Sequence, residues 1–177
     1  GRIYIGRCRA TADAAISTER MRRFSGKIRQ TGNRLFLVGR DEPGDVLKGL
    51  DFLGTWRKSA GTVIAVYDLL EKEFKIRWLW PGELGESIPV FRNFRLDETE
   101  RVAVPKLRQS RLRLVNWGNA GWNNPDNAAR FRQAQLRWLC RQRFCLEEDL
   151  SYGHGFKDYW NRFGKTHPEY FSMLPDG

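Results

Sequence analysis

The side chains best able to bind a metal ion are three cysteines and two histidines: Cys8, Cys140, Cys145, His154 and His167. Cys140 and Cys145 stand in a C-x4-C spacing, the histidines are far apart in sequence, and no second cysteine pair completes a zinc set. Three cysteines are also too few for a disulfide scaffold. We therefore expect small buried cysteines, a packed His167, no metal site and no cofactor.

Adjacent carboxylates occur at Glu147, Glu148 and Asp149. Glycoside hydrolysis needs two carboxyl groups ~5–9 Å apart across the bond that is cut, generally on different strands. Neighbours in one loop do not provide that separation. The sequence therefore predicts no catalytic residue within this chain.

Candidate substrate-binding residues lie in two loops and at one helix end. His154 is flanked by glycines, and with Tyr152 it follows a predicted strand, where imidazole can hydrogen-bond a ligand hydroxyl or carboxylate. Trp117 and Trp122 follow another predicted strand and can stack on a ring of a ligand. Arg143 ends a predicted helix. Structural roles stay open for all of them: His154 can tie down its loop, the tryptophans can pack beneath theirs, and Arg143 can cap the helix.

The charge is strongly basic and unevenly distributed. The chain has 31 Lys and Arg against 21 Asp and Glu, which gives a net charge of +10. Residues 101–145 hold ten basic side chains and a single acid, Asp126. Such a block binds phosphates in nucleic-acid-binding proteins, and Trp117, Trp122, Phe131 and Trp138 lie within it. No nucleic-acid motif accompanies the block, so a solvated face, or a face covered by an acidic partner segment that is missing from this chain, is preferred.

The apolar content of 41% suffices for a packed core and excludes wholesale disorder. No apolar run approaches the ~18 residues that cross a bilayer. Hydrophobic spacing and turn signals predict a mixed sheet with helices packed on it. The predicted elements are a strand at 3–5, a helix at 10–21, a hairpin at 24–30 and 35–38, an insertion at 40–60, a helix at 62–74 and a strand at 76–80. In the helix predicted at 62–74, the residues expected to form a buried stripe are Val63, Val66, Tyr67, Leu70 and Phe74.

The second half predicts a strand at 107–115, a helix from 125 to about 143 and a strand at 144–146. Asn124 offers an N-cap and Pro125 suits the first helical position. Strand, helix, strand is the βαβ unit of a parallel sheet, and such a unit needs further strands to close. Residues 175–177 are a turn signal, so we expect the protein to continue.

Several short segments of the sequence resemble the sequences of one protein family. They are GTVIAVYDLLE at 61–71, IRW at 76–78, PGELGE at 81–86, GHGF at 153–156 and HPEYF at 167–171. In this order they resemble the small α/β domain that precedes the catalytic barrel in bacterial hexosaminidase and α-glucuronidase enzymes. The likeness is strongest to an uncharacterised family of secreted bacterial proteins, a domain of unknown function built on that plan. The insertion at 40–60 and the basic block at 101–145 depart from it.

The resemblance implies a hexosaminidase-domain-2-like α/β domain at 1–104 and the start of a (β/α)8-type barrel at 105–177. It implies a secreted or periplasmic glycoside-hydrolase-like protein acting on carbohydrate, whose catalytic carboxylates lie on later barrel strands. This chain alone would then be inactive. A nucleic-acid-binding module and a non-catalytic carbohydrate-binding or structural domain are the alternatives.

Overall fold

A computed structural model describes residues 1–45, 58–110, 112, 125–147 and 158–172. The strands are β1 (Arg2–Ile5), β2 (Gly26–Thr31), β3 (Arg34–Gly39), β4 (Arg77–Trp78), β5 (Glu86–Ser87) and β6 (Thr99–Ala103). The helices are α1 (Arg9–Asp13), α2 (Gly61–Lys72), α3 (Pro125–Arg141) and α4 (Tyr159–Phe163). Within these described ranges, no helix is long and apolar enough to cross a membrane.

Four strands form a mixed sheet in the order β1-β3-β2-β6. Strands β2 and β3 are the predicted hairpin, joined by Gly32 and Asn33, and Gly32 adopts the positive φ of 56° that such a short connection requires. Strand β1 runs parallel to β3, and β6 runs antiparallel to β2. The predicted α/β class is therefore confirmed.

Helix α2 covers one face of the sheet. Its most buried apolar side chains are Ile64, Ala65 and Leu69, which share a core with Ile28 and Leu37 of the hairpin. The predicted stripe, Val63, Val66, Tyr67, Leu70 and Phe74, is only partly buried. That prediction was wrong by about one position around the helix axis, because the face with Ile64, Ala65 and Leu69 lies against the sheet and most of the predicted residues pack beside it.

Three glycines set the distance between α2 and the sheet. A Cβ added to Gly61 would lie 2.0 Å from the carbonyl oxygen of Ser25, and one added to Gly39 would lie 2.1 Å from the carbonyl carbon of Gly61. At Gly26 a Cβ would come within 2.2 Å of the Gly61 oxygen. The first turn of α2 therefore lies directly against the hairpin backbone.

Polar side chains stabilise this contact between the start of α2 and the β2–β3 hairpin. Asp41 accepts a hydrogen bond from the backbone N–H of Thr62 at 2.8 Å, which satisfies one of the free donors at the start of α2. The Thr62 hydroxyl in turn accepts the N–H of Gly39 at 2.9 Å. Ser59 accepts the buried N–H of Phe24 at 2.8 Å. Backbone groups buried by the close approach are thereby paired.

A smaller cluster covers the opposite face of the sheet, where Phe36 and Val38 pack with Ile16, Tyr4, Ala10 and Ala14. Tyr4 stacks on Phe36 with ring centroids 5.1 Å apart. The helix predicted at 10–21 is confirmed only over Arg9–Asp13. Ala15 has a φ of 53°, a left-handed conformation that ends the helix.

Two strand predictions need correction. The strand predicted at 76–80 is only two residues long and pairs with β5 in a separate two-stranded sheet. The fourth strand of the main sheet is β6, which the sequence analysis did not identify because its residues, TERVA, are largely polar. It nevertheless lies within the predicted first domain, 1–104.

The helix predicted from 125 to about 143 is confirmed as α3, which ends at Arg141. Its side chains at Phe131, Ala134 and Trp138 are partly buried and Leu139 is fully buried, as the predicted apolar side requires. Cys140 and Cys145 join the core beneath α2. The described pairing between the segments on either side of α3 is an antiparallel bridge from Gln109 to Leu146. A barrel βαβ unit pairs in parallel, so the barrel start gains no support from this contact.

Gly61→Ala is expected to destabilise the protein by about 3 kcal/mol, because the new methyl group meets backbone atoms that cannot move aside. Urea unfolding followed by tryptophan fluorescence measures the loss.

Gly32→Ala is the matched control. Its Cβ would meet nothing within 4 Å, so only the left-handed backbone conformation opposes it, at about 1 kcal/mol. Equal losses in the two variants would contradict the close approach of α2.

Candidate functional site

Four of the five predicted substrate-binding residues, Trp117, Trp122, Tyr152 and His154, lie outside the described residues. Arg143 is described, and it lies in the turn that ends α3. Its guanidinium forms an ion pair with Glu71 of α2. Arg143 therefore joins α2 to α3, which is the structural role that the sequence analysis left open.

The turn at Arg143 has the geometry of a Schellman motif. Phe144 donates its N–H to the carbonyl of Leu139 at 3.2 Å, and Arg143 donates to Cys140 at 2.9 Å. Arg143 occupies the position usually taken by glycine, with a φ of 60°. A non-glycine residue there costs about 1 kcal/mol, so the ion pair with Glu71 offsets a backbone cost.

Trp78 forms the second contact between α3 and the rest of the fold. Its carbonyl accepts the Trp138 indole N–H at 2.9 Å and the Gln142 amide at 2.5 Å. Its ring packs edge-on against Tyr67 and lies 5.5 Å from the Arg141 guanidinium. Trp138 is thus held in a packed position rather than free to stack on a nucleic-acid base.

Much of the basic block is neutralised within the chain. Arg101 pairs with Asp68 and Glu73, and Arg141 pairs with Glu86. With the pair from Arg143 to Glu71, the carboxylates come from residues 68–86. These carboxylates lie on α2, directly after it and on β5. Three further arginines of α3 are exposed to solvent: Arg130, Arg132 and Arg137.

Glu147, the described member of the carboxylate run, is held ionised. Arg22 donates to both of its oxygens, at 2.7 and 2.5 Å, and Arg108 lies 3.8 Å away. These bonds lower the pKa of Glu147 and raise that of Arg22. A general acid in glycoside hydrolysis needs a raised pKa, so Glu147 has the opposite property.

The cysteines divide into two kinds. Cys140 and Cys145 are buried, as predicted, and burial raises the pKa of the Cys145 thiol to about 11. Cys8 is exposed at the start of α1, so the prediction of buried cysteines was wrong there. Among the described residues, no group of three His, Cys, Asp or Glu is placed to hold a metal ion.

The segment 158–172 carries a cluster of aromatic rings. His167 stacks on Tyr170 with centroids 4.7 Å apart, and its Nδ1 lies 3.0 Å from a Glu169 oxygen. Trp160 packs edge-on against Phe171. His167 therefore packs against Tyr170, but its side chain is 46% exposed, so the prediction of a packed His167 is confirmed only in part.

A cleft opens where the C-terminal end of α2 meets residues 104–107 and the turn after α3. Its volume is about 650 Å³. Basic side chains from all three segments line it, namely Lys72, Lys75, Arg77, Lys106 and Arg143. The sequence analysis missed this cleft because its residues are far apart along the chain.

No protein-family model, curated protein or solved structure matches this chain. Its function is therefore argued from the geometry above and from the resemblance.

Arg143→Gly and Arg143→Ala both remove the ion pair with Glu71, but only glycine relieves the left-handed backbone. We expect the glycine variant to be more stable than the alanine variant by about 1 kcal/mol. Thermal unfolding of the two variants measures the difference. An alanine variant as stable as the glycine variant would show that position 143 is not strained.

Proposed function

We propose that this chain is a non-catalytic α/β scaffold in a secreted or periplasmic glycoside-hydrolase-like protein that acts on carbohydrate. In this proposal, 1–104 is the hexosaminidase-domain-2-like unit, and the catalytic carboxylates belong to a (β/α)8-type barrel that begins near 105. Substrate would bind in the barrel, and His154, Tyr152, Trp117 and Trp122 are the residues of this chain that we propose to contact it.

The observation that carries the proposal is an exposed apolar ridge on the segment that includes the β4–β5 hairpin. Its side chains, Leu79, Trp80, Leu84, Ile88 and Val90, are all at least 60% exposed. Large exposed apolar side chains that lie close together along the chain favour a surface that contacts another protein unit. Leu84 of the ridge lies in PGELGE at 81–86, one of the segments that carry the family resemblance.

The neighbouring Trp78 supports this interpretation. It is 8% exposed and packed, whereas Trp80 two residues later is 60% exposed. The buried Trp78 fixes the hairpin against α3, so the ridge is presented on a rigid base.

The described carboxylates are consistent with a scaffold role. Asp68, Glu71, Glu86 and Glu147 are each in contact with an arginine. For Glu147 the hydrogen bonds from Arg22 lower the pKa, which makes that carboxyl group a poor proton donor at neutral pH. The exposed arginines of α3 could attract a nucleic acid. Trp138 is packed and cannot stack on a base, so a scaffold role is favoured over nucleic-acid binding.

Hydrolysis of 4-nitrophenyl glycosides and of soluble polysaccharides tests the proposal. We expect turnover by the full product of the gene and none by this chain alone. Absence of glycosidase activity from the full product across neutral and acidic sugars would contradict the proposed function.

The ridge is tested in the same full product with Leu84→Ser. Leu84 is fully exposed here, so the substitution leaves this chain unaffected but is expected to destabilise the full product by about 2 kcal/mol. Ile3→Ser, at a 64% exposed position on β1, is the matched control and should change neither.

A further inference from the structure

The cleft at the end of α2 has the size of a small-molecule site. Its volume of about 650 Å³ lies within the range of about 300–1,000 Å³ typical of ligand pockets. Its walls come from α2, from the segment that follows β6 and from the turn that ends α3. The Schellman turn and the Trp78 contacts hold these three segments in place.

Cations outnumber carboxylates in this cleft. Five basic side chains line it, against two acids, Asp68 and Glu71. Both acids already have partners: Asp68 lies 2.9 Å from Lys72 and 3.3 Å from Arg101, and Glu71 pairs with Arg143. The positive charge of the remaining cations is therefore not cancelled by these carboxylates.

Lys75, Arg77 and Lys106 are those remaining cations. Lys75 donates to the carbonyl of Lys72 at 2.5 Å, and Arg77 Nη1 donates to the carbonyl of Glu71 at 2.7 Å. Lys106 is exposed and has no side-chain hydrogen bond to any other part of the chain that the structure describes. Lysine has three donors and arginine five, so each keeps N–H groups for a ligand.

The C-terminal end of α2 disfavours the binding of an anion, since a helix carries a partial charge of roughly −0.5 there. That charge offsets only a fraction of the three uncancelled cations. Lys75 and Arg77, which donate to the last carbonyls of α2, lie closest to this partial charge, whereas Lys106 belongs to the segment after β6. The cleft therefore keeps a net positive potential.

We propose that this cleft binds the oxoanion group of a small molecule, either a carboxylate, a sulfate or a phosphate, with Lys106 and Arg77 as its principal donors. Charge-assisted hydrogen bonds from guanidinium and ammonium groups are the usual means of binding such groups. The inference holds whether or not the protein acts on carbohydrate.

Isothermal titration calorimetry at low ionic strength and pH 7 tests the proposal with four probes. Sodium sulfate, inorganic phosphate and sodium glucuronate represent the three oxoanions, and glucose is the neutral control. We expect saturable 1:1 binding of at least one oxoanion and none of glucose. The probe that binds most tightly then identifies whether the ligand's oxoanion group is a sulfate, a phosphate or a carboxylate.

Lys106→Ala is expected to weaken that binding by about tenfold, because it removes a charge-assisted donor. Lys58→Ala is the matched control, since Lys58 is exposed at the opposite end of α2 and carries the same charge. It should leave the affinity unchanged. Both lysines are exposed, so both variants should unfold at the wild-type temperature without ligand.

Two results would overturn the proposal. One is the absence of saturable binding for all three oxoanions. The other is an equal loss of affinity in Lys106→Ala and Lys58→Ala, which would show that only the overall charge attracts anions. A single-stranded oligonucleotide is a further probe. If it binds equally to wild type and to Lys106→Ala while the small oxoanions fail to bind, the anion-binding surface is on α3 and the cleft proposal is wrong.

Discussion

The close backbone contact between α2 and the β2–β3 hairpin is the constraint on which the rest of the structure depends. It requires glycine at positions 26, 39 and 61, because a methyl group at any of them would overlap backbone atoms. Once the helix is this close, Ile64, Ala65 and Leu69 complete the core with the hairpin. Asp41 and Thr62 pair the backbone groups that the contact buries.

The same helix organises the latter half of the described chain. Its acidic residues face arginines of the basic block, and Glu71 holds the turn after α3 through Arg143. Cys140 and Cys145 bury their side chains in the α2 core. The cleft exists because these contacts bring the end of α2, residues 104–107 and the α3 turn together. Its positive charge remains because the nearby carboxylates are already paired.

The sequence predicted the elements whose signals are local. The hairpin follows from a Gly-Asn turn between two apolar runs, and α2 and α3 follow from helical spacing. It did not predict β6, because TERVA becomes a strand only by pairing with β2. It placed the buried face of α2 wrongly, because close packing selects Gly61 and Ala65 over the larger side chains. The cleft was beyond local patterns, since its basic residues come from three separate segments.

Native-state hydrogen exchange under increasing denaturant tests most directly whether the α2 contact supports both halves. The Gly39 amide, bonded to Thr62, reports on the helix–sheet contact, and the Cys145 amide, bonded to Ser110, reports on the latter half. We predict that both exchange only through one shared global opening, with the same free energy and the same denaturant slope. A Cys145 amide that exchanges through a separate opening of lower energy would contradict the account.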